Sequence, residues 1–354
     1  MVKLLHTADL HLDSPFSGLT PEEALRRRRL QRQIPMALAE RCRAEGCGLW
    51  LAAGDVFDGG RLAPETVEAL QAAWEHCAVP VLVAPGNHDP YTSASPWARV
   101  KWPGNVHVFS GPWEAVELEA LGCRIWGAAF QGREARGLLG AAAAGSGLWE
   151  IGVLHGEVAA SGAYNPMTEG DIAASGLNYL ALGHVHRPQP PRRAGNTWYG
   201  WPGVTLGRGF DETGSHGVLL VELAGSDCRS QLLPLPGPQY RVVPVAAGEN
   251  PLAAAEAALP AGCGEDYVRL VFTGEAEGVD CEAIAAALAG RCRNLTVVDQ
   301  TTPRRDLWAD AGDGSLRGLA LQRLQAAQAA GEAAAELAAR YLIAALEGRD
   351  GPWS

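Results

Sequence analysis

Seven side chains in this 354-residue chain share one habit. Asp9, His11, Asp55, Asn87, His155, His184 and His186 each stand just behind a short apolar run. The sharpest case is Gly86-Asn87-His88-Asp89, which follows Val79-Pro80-Val81-Leu82-Val83-Ala84-Pro85 directly. Carboxylates, an amide and imidazoles without thiolate suit borderline or hard divalent ions such as Mn²⁺, Fe²⁺ or Zn²⁺. So many ligands are too many for one ion and right for two that share a carboxylate. Two cations about 3.5–4 Å apart clamp the attacking and leaving oxygens of an in-line phosphoryl displacement, and water held between them loses a proton readily. His88 is better used facing the substrate. Protonated, it stabilises developing charge or protonates the leaving oxygen.

The elements that must position these groups alternate. Val2–Thr7 reads as a strand leading into Asp9 and His11, which share a face if the chain stays extended. Thr20, Pro21 and Glu23 form the start signal of a helix that Gly46 ends. The run Arg26-Arg27-Arg28-Arg29 follows Glu22 and Glu23 at helical spacing and is expected to be a solvated face. Gly48–Ala53 is a second buried strand, ending in Gly54-Asp55-Val56-Phe57-Asp58. A helix from about Pro64 to Cys77 then precedes the Val79–Pro85 strand. Strand, helix, strand, helix, strand predicts parallel pairing.

Short strands are expected near Val106–Phe109, Ala115–Leu118 and Cys123–Ala128, and the Gly/Ala stretch from Gly137 to Gly147 reads as a helix with a loose connection. Ile151–Leu154 and Tyr179–Leu182 are apolar runs that end in His155 and in Gly183-His184-Val185-His186. Five of the nine histidines thus fall at strand ends. His6, His76, His107 and His216 carry a structural expectation. From Thr197 the texture is antiparallel, with strands at Thr197–Gly200, Gly217–Leu223 and Gln231–Leu235. Pro234-Leu235-Pro236-Gly237-Pro238 reads as a linker. Domains are therefore expected at 1–235, 236–305 (a small α/β unit) and 306–354, where Leu316, Leu319, Leu324, Leu337 and Tyr341 recur at helical spacing, with Gly331 as a break. Such a stripe is either a docking surface or a helix folded back on its own domain.

Composition bounds the partners. The net charge is -11, so a polyanion needs a local basic patch, bound metal or a second protein. Arg187, Arg192, Arg193 and Arg208 supply local positive charge, and Trp198 and Trp201 beside them are expected in the core rather than stacked on bases. The eight cysteines form no Cys-x-x-Cys pair and read as reduced core residues. The first residues lack the pattern of a signal peptide, and no apolar run reaches the roughly 18 residues of a membrane helix. A cytoplasmic location and no membrane contact are expected.

Asp-x-His, Gly-Asp-x-x-Asp, Gly-Asn-His-Asp, a strand-end His and Gly-His-x-His, in that order, resemble the calcineurin-like metallophosphoesterase superfamily. The stretches His6–Asp13 and Gly54–Asp58 resemble the SbcD-type DNA repair nucleases. His11-Leu12-Asp13-Ser14-Pro15-Phe16 and Arg208–Gly214 are similar to their YhaO branch. The resemblance covers about residues 1–235. It implies a two-sheet β-sandwich flanked by helices, with a small α/β cap and C-terminal helices. It implies one metal on Asp9, His11, Asp55 and His186 and another on Asp55, Asn87, His155 and His184, with Mn²⁺ expected and Fe²⁺ or Zn²⁺ as alternatives. His88 matches the catalytic histidine. Some relatives carry a second helpful histidine where this chain has Asp58, so Asp58 and Asp89 are expected to orient ligands instead. The implied activity is a DNA exonuclease and endonuclease, partnered by an SbcC-like ABC-type coiled-coil ATPase that binds the C-terminal helices. A homodimer through the first helices is implied too. The alternative is a phosphatase or phosphodiesterase acting on small molecules or phosphoproteins.

Overall fold

The computed structural model describes residues 1–59, 62–142, 146–303, 306–349 and 351. It divides into two compact units, one of Met1–Val242, Gly262–Arg269 and Gly290–Asn294, the other of Val243–Ala261, Leu270–Ala289 and Leu295–Ser354.

The first unit is built on two six-stranded sheets. The run β1 (Val2–Thr7), α1 (Pro21–Ala44), β2 (Leu49–Ala52), α2 (Pro64–Cys77), β3 (Val81–Val83), α3 (Pro96–Arg99) and β4 (Val106–Val108) comes first. Strands β1 to β4 pair in parallel in that order, as the alternating pattern predicts for the first three. Then follow β5 (Glu114–Leu118), β6 (Cys123–Gly127), β7 (Trp149–His155), α4 (Glu169–Ala174), β8 (Tyr179–Gly183), β9 (Gln189–Ala194), β10 (Thr197–Trp201), β11 (Gly217–Ala224) and β12 (Asp227–Pro234). One sheet runs β12-β11-β1-β2-β3-β4 and the other β5-β6-β7-β8-β10-β9.

Side-chain alternation explains the layering. Leu5, Trp50, Ala52, Val81 and Val83 point to the face covered by Leu38 and Cys42 of α1 and Leu70 and Trp74 of α2. Leu4, Leu49, Leu51 and Leu82 point the other way, onto Ile125, Ile151, Val153 and Tyr179 of the second sheet. With both faces covered, these strands read as unbroken apolar runs, and each fully buried Leu, Ile or Val contributes about 1.5–3 kcal/mol. His6 belongs to this core. Its ring meets Tyr179 Oη at 2.9 Å and the Leu182 carbonyl at 3.1 Å, and burial pushes its pKa down to about 3.

Several expectations need correction. Residues 137–142 carry no helix. Leu138, Leu139 and Ala142 instead pack on the outer face of the second sheet, and 143–145 lie outside the described residues. Gly137 and Gly140 explain the outcome, since each glycine costs a helix close to 1 kcal/mol (about 0.8–1.0) relative to alanine. Strand β10 pairs in parallel with β8 and antiparallel with β9 only. Strand β9 itself was hidden by Pro190 and Pro191, which an edge strand tolerates. Helix α4 announces itself only by the reciprocal capping bonds of Thr168 and Asp171. Finally, the basic run of α1 is not uniformly solvated, because Arg27 is fully buried. Its guanidinium lies 5.2–5.5 Å from the rings of Phe16, Tyr240 and Tyr267 and donates to the Gly207 carbonyl. Trp201 is buried, as expected, with its Nε1 donating to Gly156.

Strands β13 (Tyr240–Ala246), β14 (Tyr267–Thr273) and β15 (Asn294–Asp299) form a third sheet in that order. The second unit contains α5 (Pro251–Ala258), α6 (Cys281–Ala287), α7 (Leu316–Ala329) and α8 (Ala335–Leu346). Gly331, at φ 90°, separates the last two helices, as expected. Their apolar stripe is divided: Leu321, Ala339 and Ile343 form a buried seam, whereas Leu316, Leu319, Leu337 and Tyr341 are exposed.

Candidate metal centre

All seven candidate ligands and His88 come together at the carboxyl ends of β1, β2, β3, β7 and β8, so both sheets deliver groups to one edge. Asp9, His11 and His186 place a ligand atom each within 4.8 Å of one another, and so do Asp9, Asp55 and His155. Asp55 Oδ2 stands between the two groups, 3.8 Å from His11 Nε2 and 3.4 Å from His155 Nε2. Asn87 Oδ1 lies 2.9 Å from His155 Nε2. The His184 ring centres 5.3 Å from that of His155, and its backbone N–H donates to both oxygens of Asp9 at 3.1 Å.

The aiming of the first two ligands differs from the expectation. Asp9 and His11 lie beyond β1, at φ 51° and 44°, and Asp55 and His184 share this left-handed backbone at 51° and 96°. Non-glycine residues adopt it at a cost on the order of 1–3 kcal/mol each, and they persist only where the surroundings dictate it. The surroundings are visible. The loops after β1 and β2 run side by side, with Asp9 N–H to Gly54 O at 3.0 Å, His11 N–H to Asp55 O at 2.9 Å and Asp58 N–H to Leu12 O at 2.9 Å. Gln31 of α1 caps the His11 carbonyl at 2.9 Å. Asp89 accepts backbone N–H bonds from Asp55, Val56, Phe57 and Gly86, tying the loop after β2 to the loop after β3. Gly86 must be glycine here, because a Cβ would overlap Asp55 Oδ1 and sit 2.7 Å from Asp55 N.

Hydrogen bonds behind the ligands fix which nitrogen faces inward. His155 Nδ1 meets the Ala53 carbonyl at 2.9 Å, so it carries the proton and leaves Nε2 toward Asp55 and Asn87. His186 Nδ1 meets Glu212 Oε1 at 2.8 Å and leaves Nε2 toward His11, 3.3 Å away. Glu212 was missed as a site residue. The Arg208–Gly214 run that held it was the available signal.

Electrostatics test whether the cluster fits a cation. Burial pushes Asp9 up to about 6, with the Asp55 carboxylate adding to the rise. Burial also pushes His11 down to about 3, and with the help of His155 it takes His184 to about 4, so both rings are unprotonated near neutrality. Burial opposes charge on His155, yet Asp55 outweighs it and holds the imidazole at about 9. The cluster therefore draws in protons that a divalent cation would replace. The donor set fits a dinuclear centre of hard or borderline cations.

His88 stands apart, 42% exposed, with its Nδ1 2.8 Å from Asp58 Oδ1. The Asp58 contact raises its pKa. Burial opposes charge on Asp58, but His88 and the Ser14 hydroxyl at 2.6 Å bring it to about 2. His88, Asp58, Arg208 and His186 are partly exposed and make a rim, whereas Asp9, His11, Asp55 and His155 make a buried floor.

Residues 2–188, just over half the chain, match the model of the calcineurin-like phosphoesterases, and the chain belongs to that family. It is therefore a metallophosphoesterase, a hydrolase of a family that uses a dinuclear metal site. It is also similar to YhaO of Bacillus subtilis (strain 168), an uncharacterized metallophosphoesterase, at 33% identity over 246 residues. That match covers 63% of this chain and 58% of the relative, so less than two thirds of the relative's length is spanned. Among the described residues no helix is long and apolar enough to cross a membrane.

Proposed function

We propose that this chain is a Mn²⁺-dependent phosphodiesterase that cleaves DNA as an exonuclease and endonuclease in DNA repair. One cation is held by Asp9, His11, Asp55 and His186, the other by Asp55, Asn87, His155 and His184. The observation that carries the phosphoester chemistry is the convergence of these ligands beneath an exposed His88. Bound, the ion pair supplies Lewis acidity and an acidified water. The chain's own residues do the rest. His88, whose protonated form the Asp58 contact favours, offers its Nε2 side to the charge that develops on the phosphate or to the departing oxygen. Asp89 and Gln31 hold the ligand loops rigid, and Glu212 fixes the His186 ring.

The DNA assignment is supported by the SbcD-type motif spacing and by Arg187, Arg192, Arg193 and Arg208 close to the last motif. In this reading residues 1–235 carry the chemistry, 236–305 form a cap and 306–354 dock an SbcC-like ABC-type coiled-coil ATPase, with the protein working in the cytoplasm as a homodimer. The exposed Leu316, Leu319, Leu337 and Tyr341 suit such docking. A second reading, a phosphatase or phosphodiesterase on smaller substrates, is favoured by the net charge of -11. The test is degradation of linear DNA by the purified protein with Mn²⁺, alone and with the ATPase, against hydrolysis of bis(p-nitrophenyl) phosphate. The nuclease reading expects loss of DNA that His88→Ala abolishes with metal content intact. Hydrolysis of the small diester with DNA left whole, even with the ATPase present, selects the second reading.

A further inference from the structure

We propose that Arg208 is the substrate-binding residue that grips a non-bridging oxygen of the scissile phosphate. It sits in the loop between β10 and β11, on the partly exposed rim of the centre rather than in its buried floor. One edge of its guanidinium is already fixed. Glu212 accepts from Arg208 Nη2 at 2.7 Å, from Nε at 3.2 Å and from the backbone N–H at 2.8 Å. The loop is pinned beneath as well, since buried Arg27 donates to the Gly207 carbonyl. The other edge carries only a long ion pair, with no hydrogen bond. Nη1 points toward Asp58 Oδ2 at 3.6 Å, which is beyond hydrogen-bond length. That loosely held edge faces the Asp58–His88 pair, where the leaving group must lie if His88 is to reach it.

The arrangement suits an arriving anion. The two divalent cations the floor would hold outweigh its two carboxylates, Asp9 and Asp55, and a guanidinium on the rim adds a directed donor to that attraction. A guanidinium matches two phosphate oxygens in its plane, and one held by a carboxylate beforehand loses little freedom on binding. Glu212 then serves two ends of the site at once, because its Oε1 also holds His186. The proposal rests on the phosphoester chemistry of the family and not on DNA being the substrate.

The test uses the full chain loaded with Mn²⁺ and three variants of measurement on Arg208→Gln and Arg208→Lys. KM and kcat are read with bis(p-nitrophenyl) phosphate, affinity for inorganic phosphate by competition and by calorimetry, and bound metal by mass spectrometry. Arg208→Gln is expected to raise KM and weaken phosphate binding at least tenfold with metal content unchanged. Arg208→Lys, which keeps the charge and the fold but not the fork, is expected to recover part of that loss. Unchanged phosphate affinity in both variants overturns the proposal. So does a fall in bound metal that accounts for the whole effect, which would make Arg208 a brace for His186. If the wild type fails to hydrolyse the diester, the diesterase reading falls, while the calorimetric phosphate affinity still decides the role of Arg208.

Discussion

His88 Nδ1 and Asp58 Oδ1 lie 2.8 Å apart, so the exposed imidazole is tethered by a carboxylate from the neighbouring strand end. The contact fixes the tautomer, leaves Nε2 for the substrate and raises the His88 pKa. Asp58→Asn should lower kcat by about 10- to 100-fold, at or below the low end of what general acid catalysis contributes, because the imidazole itself stays in place. Because the carboxylate raises the imidazole pKa, its loss should also move the alkaline limb of the kcat profile to lower pH. A pH–rate profile of the two proteins on a chromogenic phosphodiester checks this, and an unmoved limb refutes it.

Glu212 stands behind His186 as a carboxylate behind a candidate ligand imidazole. Partners of this kind are worth about 10- to 100-fold in metal affinity. Glu212→Gln should therefore weaken binding at one of two sites and leave the other near its wild-type value. Metal titration followed by calorimetry should resolve two unequal steps where the wild type shows closer ones. Equal weakening of both sites would place Glu212 elsewhere in the scheme.

The buried His6 makes stability depend on pH. Its folded pKa is lowered from 6.5 to about 3, so the folded state favours the neutral ring. That stabilisation is complete above the unfolded value of 6.5. It is lost as pH falls from 6.5 toward 3, at about 1.4 kcal/mol per pH unit. Denaturant unfolding of wild type and His6→Gln at pH 7 and pH 5 should show the wild type losing about 2 kcal/mol more between the two.

Gly86→Ala should act on the centre without touching a ligand. The new methyl meets Asp55, so the loop after β3 must move away, at about 1–3 kcal/mol for an overpacked interior. Thermal unfolding should fall by several degrees, and metal content should fall with it. Retained metal would mean that the loop yields elsewhere.

Much of this was legible in the sequence. Parallel β1 to β3, the N-cap at Thr20, the structural His6 and the convergence of five strand ends all follow from period and punctuation. What escaped has physical causes. Alternation says that Asp9 and His11 share a face, but both residues take left-handed backbone, which no period encodes. Arg27 looked like one of four surface cations, and only the fold brings Phe16, Tyr240 and Tyr267 around it. Glu212 reaches His186 across a loop, a contact that spacing along the chain cannot announce. Gly137 and Gly140 outweighed the helix-forming residues beside them over 137–142.

Strand β9 carries a consequence for edge-to-edge aggregation. Its Gln189-Pro190-Pro191 start lies where the register with β10 slips, between Tyr199 and Trp201, and Gly200 is the residue that lets Pro191 come close. Two prolines in succession leave the outer rim of the sheet without a continuous row of N–H donors. A stray strand finds an interrupted ladder there, so this edge resists the runaway stacking that open sheets invite.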